Sequence, residues 1–269
     1  MVILQLVNYY LNKVVLITGA SSGIGEAIAL EMAAAKAVLI LAARRMEELQ
    51  RVANACRLLG AKDVLCVELD VTNRDQVRRL GEEIDKHDWK IDILINNAGI
   101  SQRSLVMETS EDVERRIMEV NYFAPVHLSK VMYPRLQKNG QIVIISSLSG
   151  LFGFMERSTY AASKHAIKGY FESWQLEKPD IAITMIFPGR IQSNISFHAL
   201  HGDGSRHSVL DKAQQEGMPA KLCAQKVLRT VAKRKKIVLI GRKELILYAF
   251  YKYCPPLFYK ITASLKANG

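Results

Sequence analysis

Cysteine is scarce and nowhere paired by spacing: Cys56, Cys66, Cys223 and Cys254 are the only four in 269 residues, and none forms a CxxC. This excludes a zinc ribbon or a disulfide framework and makes a reducing, intracellular compartment the expected setting. Proline is sparse at 7 residues, and no Pro/Gly/Ser-rich linker, repeat or low-complexity tract divides the chain, so one domain over residues 1–269 is expected. Apolar runs are short. Residues 1–7 meet Asn8 well before the roughly 20 residues that span a bilayer. This start also lacks the basic lead and cleavage site of a signal peptide, which leaves an edge segment packed on the domain or a membrane-touching anchor as its two readings. Negative charge is in deficit, with 26 Asp+Glu against 37 Lys+Arg and a net charge of +11. That balance favours anionic partners, such as a phosphorylated cofactor or an anionic lipid surface. Nucleic acid is not expected, because the basic run Lys233, Arg234, Lys235, Lys236 has no interleaved aromatics or recognition motif.

What is present alternates. Short apolar runs at residues 14–17, 38–41, 64–69, 91–95, 141–145, 181–187 and 237–240 are separated by helical stretches. Seven such runs predict a mainly parallel α/β sheet covered by helices on both faces, with ligands at the carboxyl ends of the strands. Polar residues recur at those ends. The first run leads into Thr18, Gly19, Ala20, Ser21, Ser22, Gly23, Ile24 and Gly25, a TGxxxGxG turn before an Ala-rich helix. Such a turn lets backbone N–H groups and a helix N-terminus approach a pyrophosphate. The second ends in Ala42, Ala43, Arg44 and Arg45, where an acid would accept a ribose 2′-hydroxyl. Guanidiniums there favour a 2′-phosphate and hence NADP(H), with Arg44 as the expected contact and Arg45 opening a solvated helix. The third leads to Asp70, Val71 and Thr72, with Asp70 expected at the adenine and Thr72 expected to cap the next helix. The fourth ends in Asn96, Asn97, Ala98 and Gly99, the fifth in Ser146 and Ser147, and the sixth in Pro188 and Gly189. Thr109 to Asp112 carries a capping signature for a helix with Asn121 near its end. Tyr160 and Lys164, four residues apart, share one face of a helix.

In order and spacing, the TGxxxGxG turn from Thr18 to Gly25, Asn96-Asn97-Ala98-Gly99, Asn121, Ser147, Tyr160-x-x-x-Lys164 and Pro188-Gly189 resemble the short-chain dehydrogenase/reductase family over about residues 12–195. Arg44, the aromatic tail and the basic run are similar to the branch containing 11-beta-hydroxysteroid dehydrogenase and dehydrogenase/reductase member 7 type proteins. The resemblance implies a Rossmann-type doubly wound sheet and a catalytic set of Asn121, Ser147, Tyr160 and Lys164. Tyr160 would be general acid toward a carbonyl or general base toward an alcohol. A free phenol titrates near 10, and the Lys164 ammonium would lower it. Lys164 would also bond the nicotinamide ribose, Ser147 the reacting oxygen, and Asn121 a water linking Lys164 to solvent. NADP(H) would lie against Thr18, Gly19, Ser21, Ser22, Gly23, Ile24, Gly25, Arg44, Asp70, Val71, Asn97, Ala98, Gly99, Tyr160, Lys164, Pro188, Gly189 and Ile191. No metal is implied. The expected activity is hydride transfer between nicotinamide and a lipophilic carbonyl or secondary alcohol such as a steroid, retinoid or fatty carbonyl. The alternative is an NADP(H)-binding regulator or scaffold without turnover. Two departures stand out: Lys36-Ala37 replaces the family's Gly-Ala before the second strand, and a short connection from Trp174 to Asp180 leaves a homodimer open.

Residues 192–217 fill the place of a substrate lid, and Gly202 to Ser205 reads as a flexible loop. His198, His201 and His207 within it are expected to be solvated, since no carboxylate or cysteine array completes a metal site. The apolar C-terminal segment, about residues 243–264, carries Lys243, Lys252 and Lys260 and is broken by Pro255 and Pro256. It is too short and too interrupted to span a bilayer. Core or dimer packing is one reading. The other is a lid touching a membrane surface, such as the cytoplasmic face of the endoplasmic reticulum.

Overall fold

A strand buried on both faces can be apolar at every position, and β2 (Val38–Ala43) is buried at all six. The structure, a computed structural model, describes residues 2–209 and 211–264, so both ends of the 1–269 span and Leu210 of the expected lid lie outside the described residues. The strands β1 (Val14–Thr18), β2, β3 (Asp63–Glu68), β4 (Ile91–Asn96), β5 (Leu136–Ile145), β6 (Ala182–Pro188) and β7 (Ile237–Ile240) form one seven-stranded sheet. Every pairing is parallel, in the order β3-β2-β1-β4-β5-β6-β7. This is the Rossmann-like doubly wound arrangement, and its strand order reverses between β1 and β4, where such sheets open a ligand crevice. All seven apolar runs became strands. β5 starts five residues earlier than its apolar run, and a register shift between Ile91 and Ile93 absorbs the extra length.

The helices are α1 (Val2–Tyr10), α2 (Gly23–Ala34), α3 (Met46–Leu58), α4 (Arg74–Lys86), α5 (Glu111–Met118), α6 (Ala124–Met132), α7 (Ser158–Glu177), α8 (Lys212–Gln215), α9 (Ala220–Ala232), α10 (Glu244–Tyr253) and α11 (Pro255–Ser264). One core joins Ile28 and Met32 of α2, Leu49 and Val52 of α3, and Val227 and Val231 of α9 to one sheet face. The other joins Leu80 and Ile84 of α4, Leu128 of α6 and Phe171 of α7 to the opposite face. Leu6, Val7, Tyr9 and Tyr10 of α1 pack on the first core, where the buried Tyr10 hydroxyl donates to the Leu228 carbonyl at 2.6 Å. Among the described residues no helix is long and apolar enough to cross a membrane. The tail forms α10 and α11, and Phe258 is buried against Phe152 with ring centroids 5.2 Å apart.

Two local expectations are corrected. Asn73, not Thr72, caps α4, its side chain accepting from the Gln76 N–H at 3.0 Å. The Thr72 hydroxyl instead donates to Asp70 at 2.8 Å. Ser110 does precede α5 but makes no side-chain cap bond. The short connection after α7 is stitched by Gln175, whose amide donates to the Ile181 carbonyl and accepts from the Ile183 N–H.

The missing glycine before β2 has a physical consequence. Ala37 N–H bonds the Met32 carbonyl and Lys36 N–H the Ala33 carbonyl, a Schellman closure that puts Lys36 at the left-handed position with φ of 61°. A side chain there costs about 1 kcal/mol relative to glycine. Lys36→Gly is therefore expected to raise unfolding free energy by about 0.5–1 kcal/mol without altering nucleotide affinity, as read from urea denaturation. A destabilised variant would contradict this account of the helix end.

Candidate active site

Two turns at the carboxyl edge are locked together before any ligand is considered. The Thr18 hydroxyl donates to the Ile95 carbonyl at 3.3 Å and accepts from the N–H groups of Asn97 and Ala98 at 3.0 and 3.1 Å. Asn97 returns its side-chain amide to the carbonyls of Thr18 and Gly19 at 2.9 and 3.2 Å. The side chains of Thr18 and Asn97 thus brace the glycine turn. Gly19 and Gly23 have φ of 64° and 61°, and a Cβ on Gly25 would run into the Gly19 carbonyl. Ser22, the N-cap of α2, makes no side-chain cap bond, so the N-terminus of this helix is arranged to receive an anion.

The two arginines after β2 divide their work differently from expectation. Arg45 is the residue before α3, as expected, but its guanidinium turns back and donates to the hydroxyls of Ser21 and Ser22 at 3.4 and 3.3 Å. Arg44 is exposed and lines a groove with Asp70 and Thr72. Asp70 Oδ1 accepts from both the N–H and the hydroxyl of Thr72, and Val71 is half-buried beside it. Constricted glycines and a helix N-terminus at the carboxyl edge fit the pyrophosphate of a dinucleotide.

β5 delivers Ser147, while Tyr160 lies in the first turn of α7 and Lys164 one turn later. Tyr160 is 8% exposed and Lys164 5%. Lys164 Nζ donates to the Ile145 carbonyl at 3.2 Å and lies 5.8 Å from the centre of the Tyr160 ring. Burial dominates both titrations. It pushes the phenol above its ordinary value, with the Ser147 hydroxyl and the Arg157 guanidinium only partly offsetting it. It lowers Lys164 to about 8. The net shift runs opposite to the lowering expected from the ammonium: desolvation outweighs the Ser147 hydrogen bond and the Arg157 charge, and at neutral pH Tyr160 holds its proton.

Asn121 sits in a π-helical turn, Glu119–Phe123, between α5 and α6. Its Oδ1 accepts from the Ile100 N–H at 2.9 Å, and its Nδ2 donates to the Ile100 carbonyl at 2.9 Å and the Ser163 hydroxyl at 3.1 Å. A Cβ on Gly99 would stand 3.1 Å from Asn121 Oδ1 and 3.6 Å from Lys164 Nζ, so Gly99 keeps that corner open. At the end of β6, Glu244 accepts from the Arg190 N–H at 2.9 Å, and a side chain on Gly189 would run into Glu244. Ile191 is buried nearby.

The lid is more structured than its composition predicts. Leu200 pairs with Gln102 and Arg206, and a Cβ on Gly202 would meet the Glu108 carbonyl. His201 and His207 are not simply solvated: their ring nitrogens approach to 3.3 Å, and His207 lies 3.3 Å from Asp211. Asp211 in turn sits 3.2 Å from both Arg103 and Arg157. Gln102, Arg157 and Asp211 escaped the sequence reading, and Arg45 reads there only as a solvated helix start. For Arg157 the only signal was its place just before Ser158, and Gln102 had none. Among the described residues no His/Cys/Asp/Glu group suited to a metal occurs.

A buried ammonium is a standing cost to the fold. Lys164→Met is expected to raise stability near pH 7 by about 1–3 kcal/mol while removing turnover. The advantage should shrink as pH rises from about 8 toward 10.5, because folded Lys164 is then neutral while the unfolded side chain still carries its proton. Thermal unfolding across pH measures both, and a less stable variant at pH 7 would contradict the burial argument.

Comparison with known proteins gives the family. A family model described as short chain dehydrogenase matches residues 13–201. Dehydrogenase/reductase SDR family member 7B of Bos taurus is 36% identical over 266 residues, covering 95% of this chain and 82% of that one. Dehydrogenase/reductase SDR family member 7 of Homo sapiens is 36% identical over 260 residues, covering 93% and 77%. Among solved structures, a short chain dehydrogenase/reductase from Burkholderia phymatum in complex with NAD superposes with a TM-score of 0.81 at 24% identity, covering 92% of this chain and 95% of that one. An alcohol dehydrogenase from Thermococcus sibiricus complexed with 5-hydroxy-NADP gives 0.73 at 24% identity, covering 85% and 96%. By the family model over residues 13–201 and relatives at 36% identity over most of its length, the chain belongs to the short-chain dehydrogenase/reductase family of NAD(P)-dependent oxidoreductases.

Proposed function

We propose that this oxidoreductase uses NADP(H) and acts on a lipophilic carbonyl or secondary alcohol, with Tyr160 as the proton-transfer group. The observation that carries the reading is the convergence of Ser147, Tyr160 and Lys164, with the phenol held protonated by burial. When bound, NADPH supplies the hydride. The Ser147 hydroxyl orients the carbonyl oxygen, and Tyr160 donates its proton to that oxygen. The Lys164 ammonium stabilises the phenolate that results, and Ile145 fixes where that charge stands. The Asn121 side chain is fixed by Ile100 and Ser163, and Asn121 would hold the water that links Lys164 to solvent. Arg45 with Ser21 and Ser22 would grip the 2′-phosphate, with Arg44 beside the adenine.

Five residues after Ser147, Phe152 is buried in an aromatic core cluster with Phe154, Tyr251 and Phe258, at 4.7, 5.5 and 5.2 Å. The tail that builds it leaves Ile246, Tyr253, Leu257 and Tyr259 exposed alongside Lys243, Lys252 and Lys260. This surface suits contact with an anionic membrane inside the cell, from which such a substrate could enter.

Turnover is expected with NADPH over NADH on a panel of an aromatic 1,2-diketone, a ketosteroid, retinal and a long-chain aldehyde. Tyr160→Phe should lower kcat by about 10²–10⁴-fold. Arg45→Ala should raise the KM for NADPH by about tenfold or more while leaving that for NADH nearly unchanged. No turnover on the panel, full activity of Tyr160→Phe, or a preference for NADH would each overturn the corresponding part. For the membrane contact, changing Ile246, Tyr253, Leu257 and Tyr259 together to Gln should abolish cosedimentation with phosphatidylserine vesicles. Unchanged cosedimentation would count against it.

A further inference from the structure

A helix leaves its first N–H groups without intrahelical partners, and in α7 these belong to the turn that carries Tyr160. The residue preceding α7, Arg157, makes no side-chain cap bond. The acceptor comes from elsewhere: Gln102 Oε1 takes the N–H of Thr159 at 2.9 Å and of Tyr160 at 3.2 Å. Gln102 is 0% exposed. Its Nε2 faces the hydroxyls of Thr109, Ser158 and Ser104 at 2.9, 3.1 and 3.2 Å, so the amide's oxygen is the end turned to the helix.

The strip bearing Gln102 is itself held from two sides. Leu200 N–H bonds the Ser101 carbonyl at 2.9 Å and Arg103 N–H bonds the Leu200 carbonyl at 2.8 Å, which ties the strip to the lid. Arg157 donates to the Ser101 hydroxyl at 3.0 Å and to the Gln102 carbonyl, which ties it to the start of α7. We propose that Gln102 is the positioning residue for Tyr160, fixing the first turn of α7 and so the reach of the phenol toward Ser147. This rests on the reading of Tyr160 as proton donor. A buried amide serving only to fill the loop would not bond two successive N–H groups of the turn that carries the phenol.

The test compares Gln102→Leu, which removes the acceptor at similar volume, with Gln102→Glu, which keeps an acceptor for both N–H groups. It uses the panel carbonyl that the wild type reduces fastest, and NADPH affinity is read by fluorescence titration. Gln102→Leu should lower kcat by about 10–100-fold with the KM and Kd for NADPH within about twofold of wild type. Gln102→Glu should recover kcat to within about fivefold. Tyr160→Phe run in parallel separates the two readings: if it keeps full turnover, the proton-donor reading itself fails. If Tyr160→Phe is inactive, the proposal for Gln102 alone is overturned by any of three results. These are a Gln102→Leu rate within twofold of wild type, equal impairment of the Leu and Glu variants, or loss of NADPH binding together with turnover.

Discussion

Lys164 carries an ammonium into a site only 5% exposed, 3.2 Å from the Ile145 carbonyl and one helical turn beyond a phenol that is 8% exposed. Desolvation acts on both in the direction of neutrality, lowering the lysine to about 8 and raising the tyrosine. At neutral pH the result is a protonated acid beside a cation that favours the acid's conjugate base. On the proposed reading that combination would serve carbonyl reduction, since the charge is in place before the phenolate forms. The rest of the carboxyl edge maintains the arrangement: Gly99 keeps the corner open, the π turn pins Asn121 to Ile100, and Gln102 holds the first turn of α7.

The layout follows from the sheet. Because β1 and β4 are paired neighbours at the switch point, their two polar turns meet, and Thr18 with Asn97 converts that meeting into a hydrogen-bonded floor. The glycine turn and the Ser147, Tyr160 and Lys164 group are then set by opposite halves of one sheet. Two segments pack on this framework from later in the chain, residues 192–217 through Leu200 and Asp211 and the tail through Phe258.

How much of this could be read from sequence depended on range. Strands buried on both faces announce themselves as apolar runs, and the glycine turn, Ser147, Tyr160 and Lys164 lie at strand or helix ends where local chemistry is informative. Interactions that depend on tertiary contact were not legible. Arg45 looked like a solvated helix start because nothing local points its guanidinium at Ser21 and Ser22. Gln102 is 57 residues from Thr159, and Asp211 is 54 from Arg157. Thr72 was a plausible cap by type, yet it lost to Asn73 because Asp70 captured its hydroxyl. Lys36 shows the converse, a residue unsuited to the left-handed region that the Schellman bonds hold there nonetheless. Burial, the term that decides the behaviour of Tyr160 and Lys164, is a property of the fold, and so the sign of the phenol's shift could not be read from spacing.

The measurement that bears most directly on this account is kcat for carbonyl reduction against pH at saturating NADPH. With the Lys164 ammonium required and the phenol protonated well beyond neutrality, the rate should hold a plateau near neutral pH and fall as pH rises through about 8. A rate that stays flat or climbs from pH 7 to about 10, the ordinary range of a phenol, would contradict it.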